Sequence, residues 1–189
     1  MQLCIAYLGD DGEDLLAPMR RVAPAILDDV VLRPYTEADR IHNDPEHPLP
    51  IEHSSVVLEE LSDEAIDALL AFGGPDAQCP LLMIEIRHLG GALDRAPSDD
   101  AVGLRGAAYT AMFLGVLMPE IADIVPVALA GGCEALAPFS TGQSFVNLHG
   151  PVSSEDDRRR PWSGEQVERL VAIKDRLDPD HRFAFGHWD

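Results

Sequence analysis

The feature that most constrains the fold is an amphipathic segment near the C-terminus, which has clear start and stop signals for a helix. Ser163 is followed three residues later by Gln166, the spacing of a capping box. Apolar residues then recur at helical spacing at Val167, Leu170, Val171 and Ile173. Asp178-Pro179 ends the pattern, because proline cannot continue a helix. The sequence therefore predicts an amphipathic helix that ends at this dipeptide.

Upstream, strand-like and helix-like patterns follow one another in no regular order. Strands are predicted at 3–8, 30–32, 54–58 and 81–89, and helices at 13–24, 62–73 and 121–136. The pattern of 107–117 fits a strand or a helix equally well, whereas 81–89 reads as a central strand buried on both sides. Residues 34–50 are predicted to form a loop that acts as a lid or substrate rim. The whole predicts one α+β domain, with a single mixed or antiparallel sheet and helices packed on one face.

The charge balance excludes some classes of partner. The 189 residues include 33 acids and 14 bases, giving a formal net charge of −19. Such a charge repels nucleic acid phosphates and anionic lipid surfaces, so we expect neither nucleic-acid nor membrane binding. The N-terminus lacks the basic region of a signal peptide, and the three cysteines form no pairing motif. We therefore expect a cytoplasmic protein with reduced thiols.

Two clusters of reactive side chains favour structural interpretations. Histidines and acids are frequent between His42 and His53, but the prolines among them prevent the helical spacing of a metal site. No metal is predicted. Cys133 and Glu134 could be imagined to form a thiol site with His149, yet nothing in their spacing requires proximity. A buried, inert thiol is the favoured interpretation of Cys133.

The order of segments resembles the closing part of flavin-linked oxidases of the berberine bridge enzyme-like family. In that family a strand reading Tyr-x-Asn-Tyr/Phe passes beside the flavin ring, and the chain ends on a helix followed by an Asp-Pro-Asp/Asn-x-x-Phe turn. The corresponding segments are Phe145-Val146-Asn147-Leu148, the helix described above, and Leu177-Asp178-Pro179-Asp180-His181-Arg182-Phe183. The resemblance also favours a strand at 107–117. Weaker matches in the same order are Arg33-Pro34-Tyr35, Ser54-Ser55-Val56-Val57-Leu58, Leu61-Ser62-Asp63-Glu64-Ala65-Ile66, Gly90-Gly91-Ala92 and Arg105.

The resemblance implies a cofactor and a missing partner. Residues 1–189 correspond to the substrate-binding-type domain, with the berberine-like segment at 145–189. FAD would be the cofactor, held mainly by a separate FAD-binding domain that we expect to be absent from this chain. The reaction implied is the oxidation of a small alcohol, sugar or amine. Without the FAD-binding polypeptide we expect the chain to be inactive.

The resemblance also implies roles for four residues. Asn147 and His187 would contact the cofactor, Arg105 the substrate, and Tyr109 would be the catalytic base. An amide suits the polar edge of a flavin ring because it donates and accepts hydrogen bonds at once. The structural alternatives are that Asn147 bonds a neighbouring loop, that Tyr109 is buried with a bonded hydroxyl, and that His187 is an exposed tail residue.

Three apolar residues depart from the family pattern. Phe145 replaces the tyrosine that often opens the Tyr-x-Asn motif, and Ala111 and Phe113 stand where several relatives carry titratable or amide groups. The alternative hypothesis is therefore a stand-alone, non-catalytic domain that binds a ligand or self-associates. In that case we expect the former flavin-facing surface to be covered in a homodimer.

Overall fold

The computed structural model describes residues 2–42, 45, 47–91, 93, 95, 101–102, 106–152 and 154–184. The chain forms two compact units, Met1–Leu49 and Pro50–Asp189. Each unit is considered by itself below. The prediction of a single substrate-binding-type domain over residues 1–189 stays a prediction.

The first unit contains helix α1 (Glu13–Arg20) and a 3-10 helix (Tyr35–Ile41). The helix predicted from Glu13 is thus confirmed, although it ends before Pro24. Arg20 in its last turn pairs with Glu13 at 2.7 Å and with Asp28 at 2.6 Å. The Arg20 guanidinium lowers the pKa of the Asp28 carboxyl through this hydrogen bond.

The strands predicted at 3–8 and 30–32 are wrong. Both segments are irregular, and their apolar side chains are largely exposed, with Leu8 at 96% and Leu32 at 81%. An apolar run becomes a strand only where another strand satisfies its backbone groups. Neither segment pairs with a strand in the described part of the chain.

The second unit is built on a three-stranded antiparallel sheet with the strand order β1-β3-β2. The strands are β1 (Ile51–Leu58), β2 (Met83–His88) and β3 (Tyr109–Val116). The family resemblance favoured a strand at 107–117, and β3 confirms it. The strand predicted at 81–89 exists as β2, but it lies at an edge of the sheet, so its predicted central position is wrong.

Two helices cover one face of this sheet. They are α2 (Asp63–Gly73) and α3 (Val125–Leu136), and each follows a strand. Alternate strand residues point to the same face, and those facing the helices form the main core with Leu129 and Leu136 of α3: Val56, Leu58, Ala111 and Phe113. Phe113 is fully buried, which contributes roughly 1.5–3 kcal/mol. The predicted α+β class with helices on one face is confirmed.

The C-terminal part contains the short helix α4 (Glu155–Arg159) and the predicted amphipathic helix, α5 (Gly164–Leu177). The capping box is present, with the Ser163 side chain accepting from Gln166 N and the Gln166 side chain accepting from Ser163 N. Val167 is the buried residue of α5, whereas Val171 and Ile173 remain 39% and 37% exposed. The helix is therefore as predicted, but its apolar stripe is only partly covered.

An aspartate fixes the turn after α5. The Asp178 carboxylate lies 2.5 Å from Lys174 Nζ and accepts hydrogen bonds from the backbone N–H groups of Arg182 and Phe183. These donors, with Lys174 first, lower the pKa of Asp178. Among the helices of the described ranges, none is both long and apolar enough to cross a membrane.

Candidate functional site

The face of the sheet opposite α2 and α3 is the candidate functional surface, and we call it the helix-free face. Its central side chains are Ser55 and Val57 on β1 and Thr110 and Met112 on β3, all of them buried. A second small cluster forms there, where Val102, Ala107 and Phe145 pack against Val57 and Leu89. This face therefore has a closed floor, apolar at Val57 and Met112 and hydroxyl-bearing at Ser55 and Thr110, beside a more open rim.

The rim of the helix-free face carries titratable side chains. His53 on β1 and Glu85 on β2 are half-buried there, and Arg87 is exposed. Arg87 Nη2 lies 2.5 Å from Glu85 Oε1, and Arg87 Nε donates to the same oxygen at 2.8 Å. Sequence reasoning did not place Glu85 or Arg87 at a site and considered His53 only for a metal site. The spacing of two puts Glu85 and Arg87 on one face of β2, but only the strand pairing brings His53 to the same face of the sheet.

Asn147 lies next to this face but not on a strand. The segment Val146–Leu148 is a 3-10 helix, so the strand that the family pattern implies is not formed here. Ser55 Oγ donates to the Leu148 carbonyl at 2.6 Å, and Phe145 packs against Val57. These contacts hold the segment on the helix-free face. The Asn147 amide itself is exposed.

Tyr109 lies on the other face of the sheet. It pairs with Leu58, packs against the main core and stacks on His88 with ring centroids 4.9 Å apart. The structure therefore does not bring Tyr109 and the segment of Asn147 to one surface. Antiparallel pairing fixes this separation because it sets which residues of β3 face the helices.

Ala111 and Phe113 also face the helices, and both are fully buried. Both side chains form part of the main core and do not reach the helix-free face. The equivalent positions on the helix-free face are Thr110 and Met112. The remaining predicted site residues, Arg105 and His187, lie outside the described residues.

A buried polar network fixes the segment that follows Asn147. Ser144 Oγ and His149 Nδ1 are 2.5 Å apart, with the direction of the hydrogen bond set by the histidine tautomer. His149 Nε2 lies 3.3 Å from Asp157 Oδ1. A serine that contacts a histidine, which in turn contacts an aspartate, is the set of contacts found in a nucleophilic triad. Ser144 is fully buried, however, so no substrate can reach its hydroxyl, and the network is structural.

A cavity of about 500 Å³ lies between β1, α3 and this segment. It is lined by Cys133, Glu134, His149 and Arg160, among others. The fold thus brings Cys133 and His149 to one cavity, which their spacing did not require. Burial raises the pKa of the Cys133 thiol, an effect that Arg160 only partly offsets, so the thiol stays protonated at neutral pH. Among the described residues, no group of three or more acids, histidines or cysteines is placed to hold a metal ion.

Comparison with known proteins finds similarity in structure only. No protein-family model matches the sequence, and no curated protein matches it. Two solved structures that do match are those of BBE-like 1 from Physcomitrella patens, in its wild-type form and as a single-residue variant. Each has a TM-score of 0.58 and 17% sequence identity over 75% of this chain. The resemblance to the berberine bridge enzyme-like family is thereby confirmed at the level of the fold.

The same match also shows how much of the Physcomitrella protein shares this fold. This chain spans 30% of the length of the Physcomitrella protein. The shared fold therefore corresponds to a part of that protein.

Proposed function

We propose that this chain is the substrate-binding part of an FAD-linked oxidoreductase that oxidises a small alcohol, sugar or amine. Activity requires a separate FAD-binding domain. The observation that carries the proposal is the fold match, which accounts for three quarters of this chain but less than one third of a berberine bridge enzyme-like protein. The helix-free face is the surface that the FAD-binding domain would meet.

The residues of this face fit one end of the cofactor. The exposed Asn147 amide suits the polar edge of a flavin ring, and the apolar floor around Met112 suits a water-poor reaction site. The sequence offers no glycine-rich loop for the pyrophosphate. The chain by itself is therefore expected not to retain FAD.

The separate domain would hold the FAD, which would supply the hydride acceptor. This chain must then supply the group that takes the substrate proton. Tyr109 faces the core, so His53 and Glu85 on the rim are better placed to accept that proton. We assign the base to this pair of positions and the orientation of the flavin edge to Asn147.

The test is capture of the flavin-bearing partner. The tagged full-length chain is immobilised and exposed to an extract of its own source cells, and the flavin absorbance of the eluate is measured per mole of chain. We expect a yellow eluate that bleaches when the right alcohol, sugar or amine is added without oxygen. Asn147→Ala should lower the flavin yield several-fold, and Val146→Ala on the same 3-10 helix serves as the matched control.

The proposal is overturned if the wild-type eluate is colourless, or if its flavin is unchanged by Asn147→Ala. Adding FAD to the purified chain alone tests whether a separate FAD-binding domain is needed. Flavin retained after desalting would show that no separate domain is needed. The alternative function, a stand-alone non-catalytic ligand-binding or self-associating domain, predicts a colourless protein in both experiments.

A further inference from the structure

The two outer edges of the three-stranded sheet differ in whether another segment of the chain covers them. The outer edge of β1 is covered by the segment 140–150, since Thr141 N donates to Val57 O at 2.9 Å and Ser140 forms a bridge with Leu58. Gly150 packs so closely that an added Cβ would lie 2.2 Å from the His53 carbonyl oxygen. The edge at β1 is therefore closed by the chain itself.

The outer edge of β2 has no backbone partner in the part of the chain that the structure describes. Leu89 N donates to Ala108 O at 2.7 Å, and in an antiparallel ladder every second residue bonds the same neighbour. The backbone groups of Ile84, Ile86 and His88 thus point away from β3. In the part of the chain that the structure describes, they have no other backbone partner. An uncovered edge of this kind is a template for another strand.

We propose that this edge pairs with β2 of a second copy of the chain, giving a symmetric dimer with a continuous six-stranded antiparallel sheet. The two-fold axis passes by Ile86, so that Ile86 lies opposite Ile86 of the second copy. Ile84 then lies opposite His88 of the second copy. These are the residues whose backbone groups point outward, so the ladder hydrogen bonds are satisfied. The backbone pairing does not rest on the proposed flavin function, but it engages Glu85, one of the two positions assigned to the base.

Charge selects this register. With the axis at Ile86, Glu85 of each copy lies directly opposite Arg87 of the other, in the non-hydrogen-bonded pairs where side chains approach most closely. The Glu85–Arg87 pair within each copy becomes a network of four alternating charges. Moving the axis by one residue to Glu85 would also satisfy the backbone. That register sets Glu85 against Glu85, and like charges directly opposite are unfavourable.

An apolar flank beside the edge supports the same arrangement. Phe72 of α2 faces α3, because its ring lies against Gly131. Ile66 and Leu70 lie roughly 120° and 160° around α2 from Phe72, at 3.6 residues per turn. They are turned away from α3 and remain 37% and 55% exposed. The end of α2 lies over β2, since an added Cβ at Gly73 would meet Ile84, so two copies of α2 would meet above the joined strands.

Charge reversal at the two paired positions tests the dimer. The oligomeric state of the full chain is measured by analytical ultracentrifugation at physiological ionic strength, which screens the net charge of −19 beyond about 8 Å. We expect a dimer for the wild type. Glu85→Arg places arginine opposite Arg87, and Arg87→Glu places glutamate opposite Glu85. Each single variant should therefore weaken the dimer about tenfold or more.

Two rescues make the test specific to this register. An equimolar mixture of the two single variants should form heterodimers, because every opposed pair again joins opposite charges. The double variant Glu85→Arg/Arg87→Glu should restore the homodimer. Glu120→Arg, an equal charge change at an exposed turn position, is the control, and far-ultraviolet circular dichroism verifies that each variant is folded.

The proposal is overturned if the wild type is a monomer at every concentration tested. It is also overturned if the wild-type dimer is unaffected by both single variants, since another surface would then hold it. Dissociation in the single variants without rescue in the mixture or the double variant would exclude the register centred on Ile86.

Discussion

Two adjacent glycines of α3 should respond in opposite ways to the same substitution. A Cβ added at Gly132 would lie 2.6, 2.7 and 2.9 Å from Cδ1, Cε1 and Cγ of Phe113. A Cβ added at Gly131 would have one neighbour within 4 Å, Phe72 Cε2 at 3.4 Å. Carbon atoms pack best at about 3.5–4.0 Å, so alanine fits at Gly131 and collides at Gly132.

The size of the effect follows from two opposing contributions. Replacing a helical glycine by alanine stabilises the helix by about 1 kcal/mol, and this gain is the same at both positions. Overpacking a filled core costs about 1–3 kcal/mol. Phe113 cannot move aside easily, because it is fully buried and its ring meets Phe72 edge to face at 5.7 Å. We therefore expect Gly131→Ala to raise the free energy of unfolding. The free energy of unfolding of Gly132→Ala should lie about 1–3 kcal/mol below that of Gly131→Ala.

The difference is measured by urea unfolding, followed by far-ultraviolet circular dichroism and tryptophan fluorescence. A change in midpoint at constant slope reports stability alone. In thermal unfolding the melting temperatures of the two variants should differ by about 2–4 °C per kcal/mol for a chain of this size. Phe113→Leu combined with Gly132→Ala should recover part of the loss. If Gly132→Ala is as stable as Gly131→Ala, the packing of Phe113 against α3 is not as described.

Three further predictions concern single residues that stabilise local structure. Ser163→Ala removes the cap of α5 and should lower the free energy of unfolding by about 1 kcal/mol in urea titrations. Gly150→Ala should cost more than about 1 kcal/mol, because Gly150 has φ +84° and its added Cβ would strike the His53 carbonyl. The Asp178 pKa is lowered in the folded state, chiefly by Lys174, so the native carboxylate is harder to protonate. Its stabilising effect is present above about pH 4 and is lost as the pH falls through the lowered pKa. The measurement is the difference in melting temperature between wild type and Asp178→Asn across that range.

Each of these three predictions would be contradicted by a specific result. Unchanged stability in Ser163→Ala would show that the capping box is not formed in solution. Gly142→Ala is the matched control for Gly150→Ala, since Gly142 has φ +80° with open space around it, and equal losses would exclude the contact with β1. A wild-type advantage over Asp178→Asn that stays constant as the pH falls below about 4 would contradict the stabilising role of the carboxylate.

Local sequence signals determined the elements whose causes lie within a few residues. The cap of α5, its periodicity and the stop at Asp178-Pro179 act over one or two helical turns, so this helix was predictable with its ends. The same holds for α2, where the Ser62 side chain accepts a hydrogen bond from Ala65 N. The order of segments was sufficient to suggest a berberine bridge enzyme-like fold, which the structural match confirms at the level of the fold.

The tertiary structure alone decided what depends on distant partners. The sequence predicted β2 as a central strand and residues 3–8 as a strand, but strand order and pairing are set by segments far apart in the chain. The period of two in β3 placed Ala111 and Phe113 on one face without saying that α2 and α3 cover it. Which face the helices cover, and which edge the described chain leaves without a backbone partner, follows from packing. The sequence does not decide either, because β3 carries apolar side chains on both faces and every strand presents backbone groups at both edges.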